Sequence, residues 1–370
     1  KSTSTIVDLK DSADGVQYIK SGNDLIIERS YDEKSDKVTI KDYYKGDNSK
    51  LIIKAGNQEL EVEDVNVTGT DKSEKIYTVA GDNTIVAGKG NDVINIIGDG
   101  KKDVYIKNAD GNDTITGIEN STALNIHFEE IDDGVQLEFT KKGNDFIIRR
   151  SYSDTKGKAK TATTTITNLF KRGTDGSWLN TDKIHLFVKD DVPVDFDKIS
   201  IGISGKGKID GTPFADFILG SKGNDTINSN GGNDYLRGGK GNDTYNVLNL
   251  EDNIFIQDEK GNDTLNILNS NSWNVNFIFN VNKDGKFGIE EDNLFLYKDE
   301  EAIEGWDGTV NSISNGITIE GFNSIEKIKT EDGGYIGTKE LNALKEKVTS
   351  WLNTNNYDDV QSVLESGNSQ

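Results

Sequence analysis

The sequence has no cysteine and no methionine, and only two prolines and two histidines among 370 residues. Without cysteine there is neither a disulfide framework nor a thiolate zinc site, and the absence suits a chain that crosses to the outside unfolded. The scarcity of proline beside 39 glycines sets the chain apart from a disordered Pro/Gly linker. No apolar run approaches the roughly 18–20 residues needed to span a bilayer, so no transmembrane segment is expected. The opening KSTSTIVDLK (1–10) lacks the apolar centre of a signal peptide. Methionine is missing even at position 1, and the expectation is a processed product or a piece of a larger protein. His127 and His185 lie in the strand-like stretches LNIHF and KIHLFV and form no HExxH, and there is no GxSxG elbow or Asp-Pro bond. No catalytic constellation emerges, and the chain is expected not to be an enzyme. What is abundant is acid: 64 acidic against 42 basic residues, a net charge of −22. Nucleic acid and anionic membranes are poor partners for such a chain, and cations are good ones. With 33% hydrophobic residues, two or three modest domains are within reach but no single large core.

Internal copies give the organisation. One unit runs DGVQYIKSGNDLIIERSY (14–31), VTIKDYY (38–44), KLIIKAG (50–56). A second runs DGVQLEFTKKGNDFIIRRSY (133–152), TITNLF (165–170), KIHLFVKD (183–190). A third reads DGKFGIEEDNLFLY (284–297), ITIEGF (317–322), IEKIKTEDG (325–333). Each alternates apolar and polar residues between turn signals, as half-buried strands do. Glycine-aspartate blocks follow the first two copies, and a helical tail follows the third, with Leu341, Leu344, Val348 and Trp351 on one face. A second short helix is expected around Val360, Val363 and Leu364, stopped by Gly367. The expected division is a β unit over 1–68, a repeat block over 69–120, a β unit over 121–200, a repeat block over 201–269, a β unit over 270–336 and a helical tail over 337–370.

The second block reads in nines: GTPFADFIL (211–219), GSKGNDTIN (220–228), SNGGNDYLR (229–237), GGKGNDTYN (238–246). Position six is Asp216, Asp225, Asp234 and Asp243; position eight is Ile218, Ile227, Leu236 and Tyr245. One apolar residue in nine makes a strand of about three residues with a single inward side chain. The intervening residues must reverse the chain, which glycine permits. Two strands and two turns make one coil, with rungs about 4.8 Å apart. Aspartates eighteen apart then share one edge, and carboxylates so close repel unless a cation lies between them. With turn carbonyls they offer the all-oxygen cage that suits Ca2+ better than Mg2+. So thin a core makes metal an expected folding requirement.

This pattern resembles the G-G-x-G-x-D-x-U-x nonapeptide of RTX (haemolysin-type calcium-binding) proteins, whose form is the parallel β-roll. GGKGNDTYN matches it fully, while GSKGNDTIN and AGKGNDVIN (87–95) each miss one glycine. The β units are similar to domains that flank RTX blocks in that family. The resemblance implies an all-β fold: two parallel β-roll blocks alternating with small β domains, ending in a short helical tail. It also implies ions held by position-six aspartates eighteen apart together with turn carbonyls. Carried over, one site joins Gly220, Lys222 and Asp225 to Gly239, Gly241 and Asp243. A second, lacking the inner glycine, joins Gly211, Pro213 and Asp216 to Asn230, Gly232 and Asp234. A third joins Asp243 to Asp263, with Gly261, across a spacing of twenty that requires a two-residue bulge. The first block is degraded: Glu74 and Asn83 precede Asp92 at position six, and Asp113 lies twenty-one beyond. One or two sites are expected there, from Glu74, Gly88, Gly90, Asp92 and Asp113.

NVNKDGKFGIEE (280–291) has EF-hand loop spacing, but strand-like flanks favour a hairpin turn at Asp284-Gly285. The tail is either part of a type I secretion signal or a helical cap over a sheet edge. The expected function is a calcium-built folding and secretion region of a bacterial extracellular protein, with the type I secretion machinery as partner. It would support a toxin or surface protein. The alternative is an adhesin or S-layer segment whose β units bind a host or cell-surface partner or a glycan.

Overall fold

The computed structural model describes residues 5–9, 16–31, 34–45, 51–55, 58–60, 62, 64–131, 134–279, 293–298, 315–321, 324–337, 339–343 and 346–347. The fold is all-β with parallel β-roll ladders, and helix among the described residues is limited to short 3-10 turns and segments at 339–343 and 346–347. The loop 280–291 and the tail residues Leu344, Val348, Trp351, Val360, Val363, Leu364 and Gly367 lie outside the described residues. The chain divides into two compact units, 1–194 and 195–370.

In the second unit, successive nines alternate between two parallel ladders. One stacks Ile201–Ser204, Asp216–Leu219, Tyr235–Arg237 and Asn253–Gln257. The other stacks Lys208–Asp210, Thr226–Asn228, Thr244–Val247 and Thr264–Ile267. Each short rung turns one apolar side chain inward and the longer ones two, as with Ile201, Val247, Ile254 and Ile267, so the core is built on two columns of apolar residues in register. Ile203, Ile218, Leu236 and Ile256 form one column, and Ile209, Ile227, Tyr245 and Leu265 the other. Burying one such side chain contributes roughly 1.5–3 kcal/mol, which is little against the ordering of a nine-residue repeat. Both ladders then continue across an insertion: Gly316–Glu320 pairs in parallel with Asn253–Gln257, and Lys327–Thr330 with Thr264–Ile267. Antiparallel strands finish the edges, Leu294–Lys298 and Val275–Phe279 on one ladder and Tyr335–Gly337 on the other. Parallel coils leave an open edge that invites further pairing, and hairpins are a compact way to close it.

The first unit repeats the scheme with less regular coils. Lys75–Tyr77, Val93–Asn95, Asn112–Thr116 and Ala159–Ile166 stack in parallel, and the hairpin Gln136–Lys142/Asp145–Ser153 extends that sheet. The facing ladder stacks Val65–Thr68, Asn83–Val86, Lys101–Ile106, Ala123–Phe128 and Ile184–Val188. At its other end Val16–Ser21 adds in parallel, followed by antiparallel Asp24–Tyr31 and Lys34–Ile40. Strands from the alternating-pattern segments and from the glycine-aspartate segments thus share sheets.

Candidate metal centre

The nines of the acid edges carry Asn-Asp or a variant of it at positions five and six, and both residues tie one coil to the next. The position-five side chain accepts from the backbone N–H of its counterpart one coil on. Asn224 Oδ1 accepts from Asn242 at 2.8 Å, Asn242 from Asn262 at 3.0 Å, and Asn91 from Asn112 at 2.8 Å. The aspartate works in the opposite sense: its N–H donates to the carboxylate of the next coil. Asp225 donates to Asp243 Oδ1 at 2.7 Å and Asp243 to Asp263 Oδ1 at 2.6 Å. These bonds use one oxygen each of Asp243 and Asp263 and leave Oδ2 of both without a hydrogen-bond partner, while both oxygens of Asp225 accept, from the N–H groups of Gly207 and Ser221.

At one edge of the second unit this produces a continuous acid column, Asp225, Asp243, Asp263 and Glu326, closed by the Asp263 N–H donating to Glu326. The twenty-residue step from Asp243 to Asp263 is taken up in the stretch 248–252, and the carboxylates stay in line. Asp258 enters the column from the side, and Asp243, Asp258 and Asp263 each offer an oxygen within 4.8 Å of the others. Asp258 also accepts from the buried Tyr245 hydroxyl, which itself accepts from the Gly238 N–H at 2.7 Å. At the opposite edge Asp216 donates to Asp234 Oδ1 at 3.0 Å. There the Asp216 carboxylate is also held by its own turn, through the N–H and hydroxyl of Thr212. Asn230, at φ 68°, donates its amide to the Gly211 carbonyl at 3.2 Å.

In the first unit Glu74, Asp92 and Asp113 form the corresponding column. Glu74 donates to Asp92 Oδ1 at 2.9 Å and Asp92 to Asp113 Oδ1 at 3.0 Å, while Glu74 accepts from Thr70. Asn83 does not join it: it lies on the facing ladder, where its side chain accepts from Val79 and donates to the Asp82 carbonyl.

The glycines open the room these carboxylates need. Gly239 and Gly241 sit at φ 105° and 122°, and a Cβ on Gly241 would meet the Gly223 carbonyl carbon at 2.6 Å. Gly88, Gly90 and Gly232 likewise have positive φ. A Cβ on Gly220 would fill the cradle beside Asp225 Oδ2 at 2.9 Å. Lys222 and Pro213, placed by the resemblance in the same turns, are exposed and half-buried respectively.

The donor set fits a hard cation. Buried Oδ2 atoms of Asp92, Asp113, Asp234, Asp243 and Asp263 have no hydrogen-bond partner, a costly state for a carboxylate unless something positive satisfies it. Burial pushes these groups up, Asp243 to about 6, Asp113 and Asp263 to about 7 and Asp234 to about 10. Neighbouring acids add to the rise, Asp258 and Asp225 for Asp243 and Asp216 for Asp234. A family model for the RTX calcium-binding nonapeptide repeat matches residues 68–95 and 210–245, in four copies.

This chain carries RTX calcium-binding nonapeptide repeats.

RTX repeats bind Ca2+, and the matched segments contain the columns Glu74–Asp92 and Asp216–Asp234 and the first step, Asp225–Asp243, of the longest one. No curated protein matches the chain. Among solved structures it is similar to the extracellular lipase LipA from Serratia marcescens, at 14% identity and a TM-score of 0.20, over 76% of this chain and 45% of the lipase. The chain thus spans less than half of that structure. The expectation that the chain is not an enzyme is corrected by this neighbour, which is itself an enzyme; so distant a likeness assigns no activity here.

The RTX motif did not point to Asp258 or Glu326. Asp258 stands at position one of DEKGND, where GGKGND and GSKGND have glycine, so aligning the imperfect nine from 258 would have exposed it. Glu326 stands five residues after Gly321, which sits at φ 64° in a turn closed by the Ser324 N–H, but GFNSIE lacks the inner glycine and the aspartate of the motif, and Glu326 enters the column through the pairing of Lys327–Thr330. His127 is more than a plain strand residue: its Nδ1 lies 2.8 Å from Asp191, and its ring stacks between Tyr105 and Phe187.

Proposed function

We propose that this chain is a calcium-dependent folding region of a type I secreted extracellular protein, its rolls assembled by Ca2+ after export. The observation that carries the reading is the set of buried, unpartnered carboxylate oxygens stacked one rung apart. One ion lies between Asp225 and Asp243 with carbonyls of Gly220, Lys222, Gly239 and Gly241. A second lies between Asp243 and Asp263, with Asp258 and Gly261. Others belong to Asp216 and Asp234 with Gly211, Pro213, Asn230 and Gly232, and to Glu74, Asp92 and Asp113 with Gly88 and Gly90. At low cytosolic Ca2+ the acids keep the chain expanded; at extracellular Ca2+, where modules bind at about 10⁻⁴–10⁻³ M, ion binding to the folded state alone stabilises it by mass action.

Calcium titration of chelator-stripped protein, followed by circular dichroism and calorimetry with magnesium as control, tests this. A cooperative gain of β structure with calcium and not with magnesium is expected. An identical spectrum and melting temperature with and without chelator would sink the reading.

An adhesive surface segment is favoured by a different observation, the outward row Phe217, Tyr235 and Phe255, stacked at 4.9 and 5.2 Å. Flat aromatic faces suit a glycan or protein partner. Loss of cell-surface binding in Phe217→Ala with the fold intact would support this second role, and unchanged binding would remove it.

A further inference from the structure

The two edges of the first unit's roll are not alike. One carries the acid column Glu74, Asp92, Asp113. At the other, the residues in register along the corresponding row are Val65, Asn83, Lys102, Leu124 and Ile184, with no carboxylate among them. Lys102 is fully buried, which for a lysine is unusual unless it is paired. Its ammonium donates to the Asp99 carbonyl at 2.6 Å, the Val79 carbonyl at 3.0 Å and the Gly81 carbonyl. These oxygens come from two successive turns of the same edge. Three acceptors need three N–H groups; the charged amine has three and the neutral amine two. Burial lowers the Lys102 pKa, while Asp82 and Asp99 raise it.

The turns here do what calcium-binding turns do, aiming backbone oxygens from two coils at one point, but the positive charge at that point is covalently attached. Asn83 closes its turn as an aspartate would, accepting from the Val79 N–H at 2.9 Å, and adds no charge to be neutralised. A second basic residue stands in a related place at the acid edge. Arg150, also fully buried, donates to the Gly111 carbonyl at 3.3 Å and to Thr164 Oγ1 at 2.6 Å. Thr164 is the residue in register with Asp113 one rung on, so the acid column ends against a guanidinium.

We propose that Lys102 is a resident cation that replaces a bound metal ion at this edge of the roll, so that the strands around it hold together whether or not calcium is present. The proposal rests on the reading of the turn columns as cation sites. Its test is hydrogen exchange on the full chain with calcium and with chelator, for the parent, Lys102→Met and Lys102→Asp, together with calcium counting by equilibrium dialysis. In the parent, amides of Asn83–Val86 and Lys101–Ile106 should stay protected in chelator while those of Thr244–Val247 lose protection. Lys102→Met, which keeps the apolar stem, should raise exchange in the first two strands about tenfold or more with or without calcium, as the loss of charge-assisted bonds implies. Lys102→Asp should bind one more calcium than the parent and make protection of those strands calcium-dependent.

Two outcomes overturn it: parent strands 83–86 and 101–106 that open in chelator together with Thr244–Val247, or a Lys102→Met chain with unchanged protection. If chelation changes exchange nowhere, the calcium reading fails by itself, and Lys102→Met still decides the role of the lysine. If Lys102→Asp does not fold, the parent and Lys102→Met measurements carry the test.

Discussion

The acid columns of the two units share a backbone and differ in what balances their charge. In the second unit Asp225, Asp243, Asp263 and Glu326 follow one another with Asp258 alongside, and among the described residues the bonds to the carboxylates of Asp225, Asp243 and Asp263 come from backbone N–H groups. In the first unit the shorter column of Glu74, Asp92 and Asp113 runs toward a buried arginine, and the opposite edge is filled by a buried lysine. The same ladder of rung-to-rung bonds can therefore be built around external ions or around the chain's own cations. Along the acid columns, buried carboxylates stacked one rung apart repel one another unless a positive charge lies beside them.

The sharpest way to break the comparison is at Asp243, which faces neighbours on both sides. Asp243→Asn is expected to remove or weaken by at least about tenfold the two ions that share it. Asp113→Asn, at the end of the first unit's column, should affect one at most. Calcium stoichiometry by isothermal titration separates these; equal losses from both variants would show that the columns are not continuous sites.

Next in size is the dependence on pH. Burial raises the folded-state pKa of Asp243 to about 6 and of Asp113 and Asp263 to about 7, against about 3.9 in the unfolded chain. Between those values the metal-free folded state holds more protons than the unfolded one, so its stability falls as pH rises from about 4 to about 7. Calcium binds the ionised form, so the calcium-loaded protein should instead lose stability as pH falls through the same window. Melting curves from pH 4.5 to 7.5 with chelator and with calcium should slope in opposite directions, and parallel slopes would count against buried acids as the ligands.

Gly241→Ala places a Cβ in a left-handed turn already crowded by Gly223. Strain of this kind costs about 1–3 kcal/mol. Gly22 in the first unit has φ 58° with nothing within 4 Å, so Gly22→Ala should cost less. Thermal melts of the two variants in saturating calcium measure the difference. The smallest effect belongs to Asn242→Ala, which loses one inter-coil acceptor. A cost of about 1 kcal/mol is expected, with calcium stoichiometry unchanged.

Much of the second unit was legible in the sequence because its pattern is local. The nine-residue period places Ile218, Ile227, Leu236 and Tyr245 inward and Asp225 above Asp243, and the structure has these registers. What was not legible depends on pairing across long separations. Gly316–Glu320 and Lys327–Thr330 rejoin the ladders after an insertion, and no period announces that return. Asp258 and Glu326 become neighbours of the column only through it or through an imperfect nine. In the first unit Glu74, Asn83 and Asp92 keep the nine-residue spacing, with Asn83 on the facing ladder as alternate nines require, but coils of uneven length blur the frame beyond Asp92.

By itself the sequence determined the coil, the inward residue at position eight of each nine, the acid edge and the expectation of a cation there. Each of these follows from turn stereochemistry and repulsion between groups brought close by a short, regular spacing. The tertiary structure alone decided which cation meets which edge. Whether a lysine or arginine is solvated or buried against turn carbonyls depends on what packs over it, and for Lys102 and Arg150 those partners lie as many as 23 and 39 residues away.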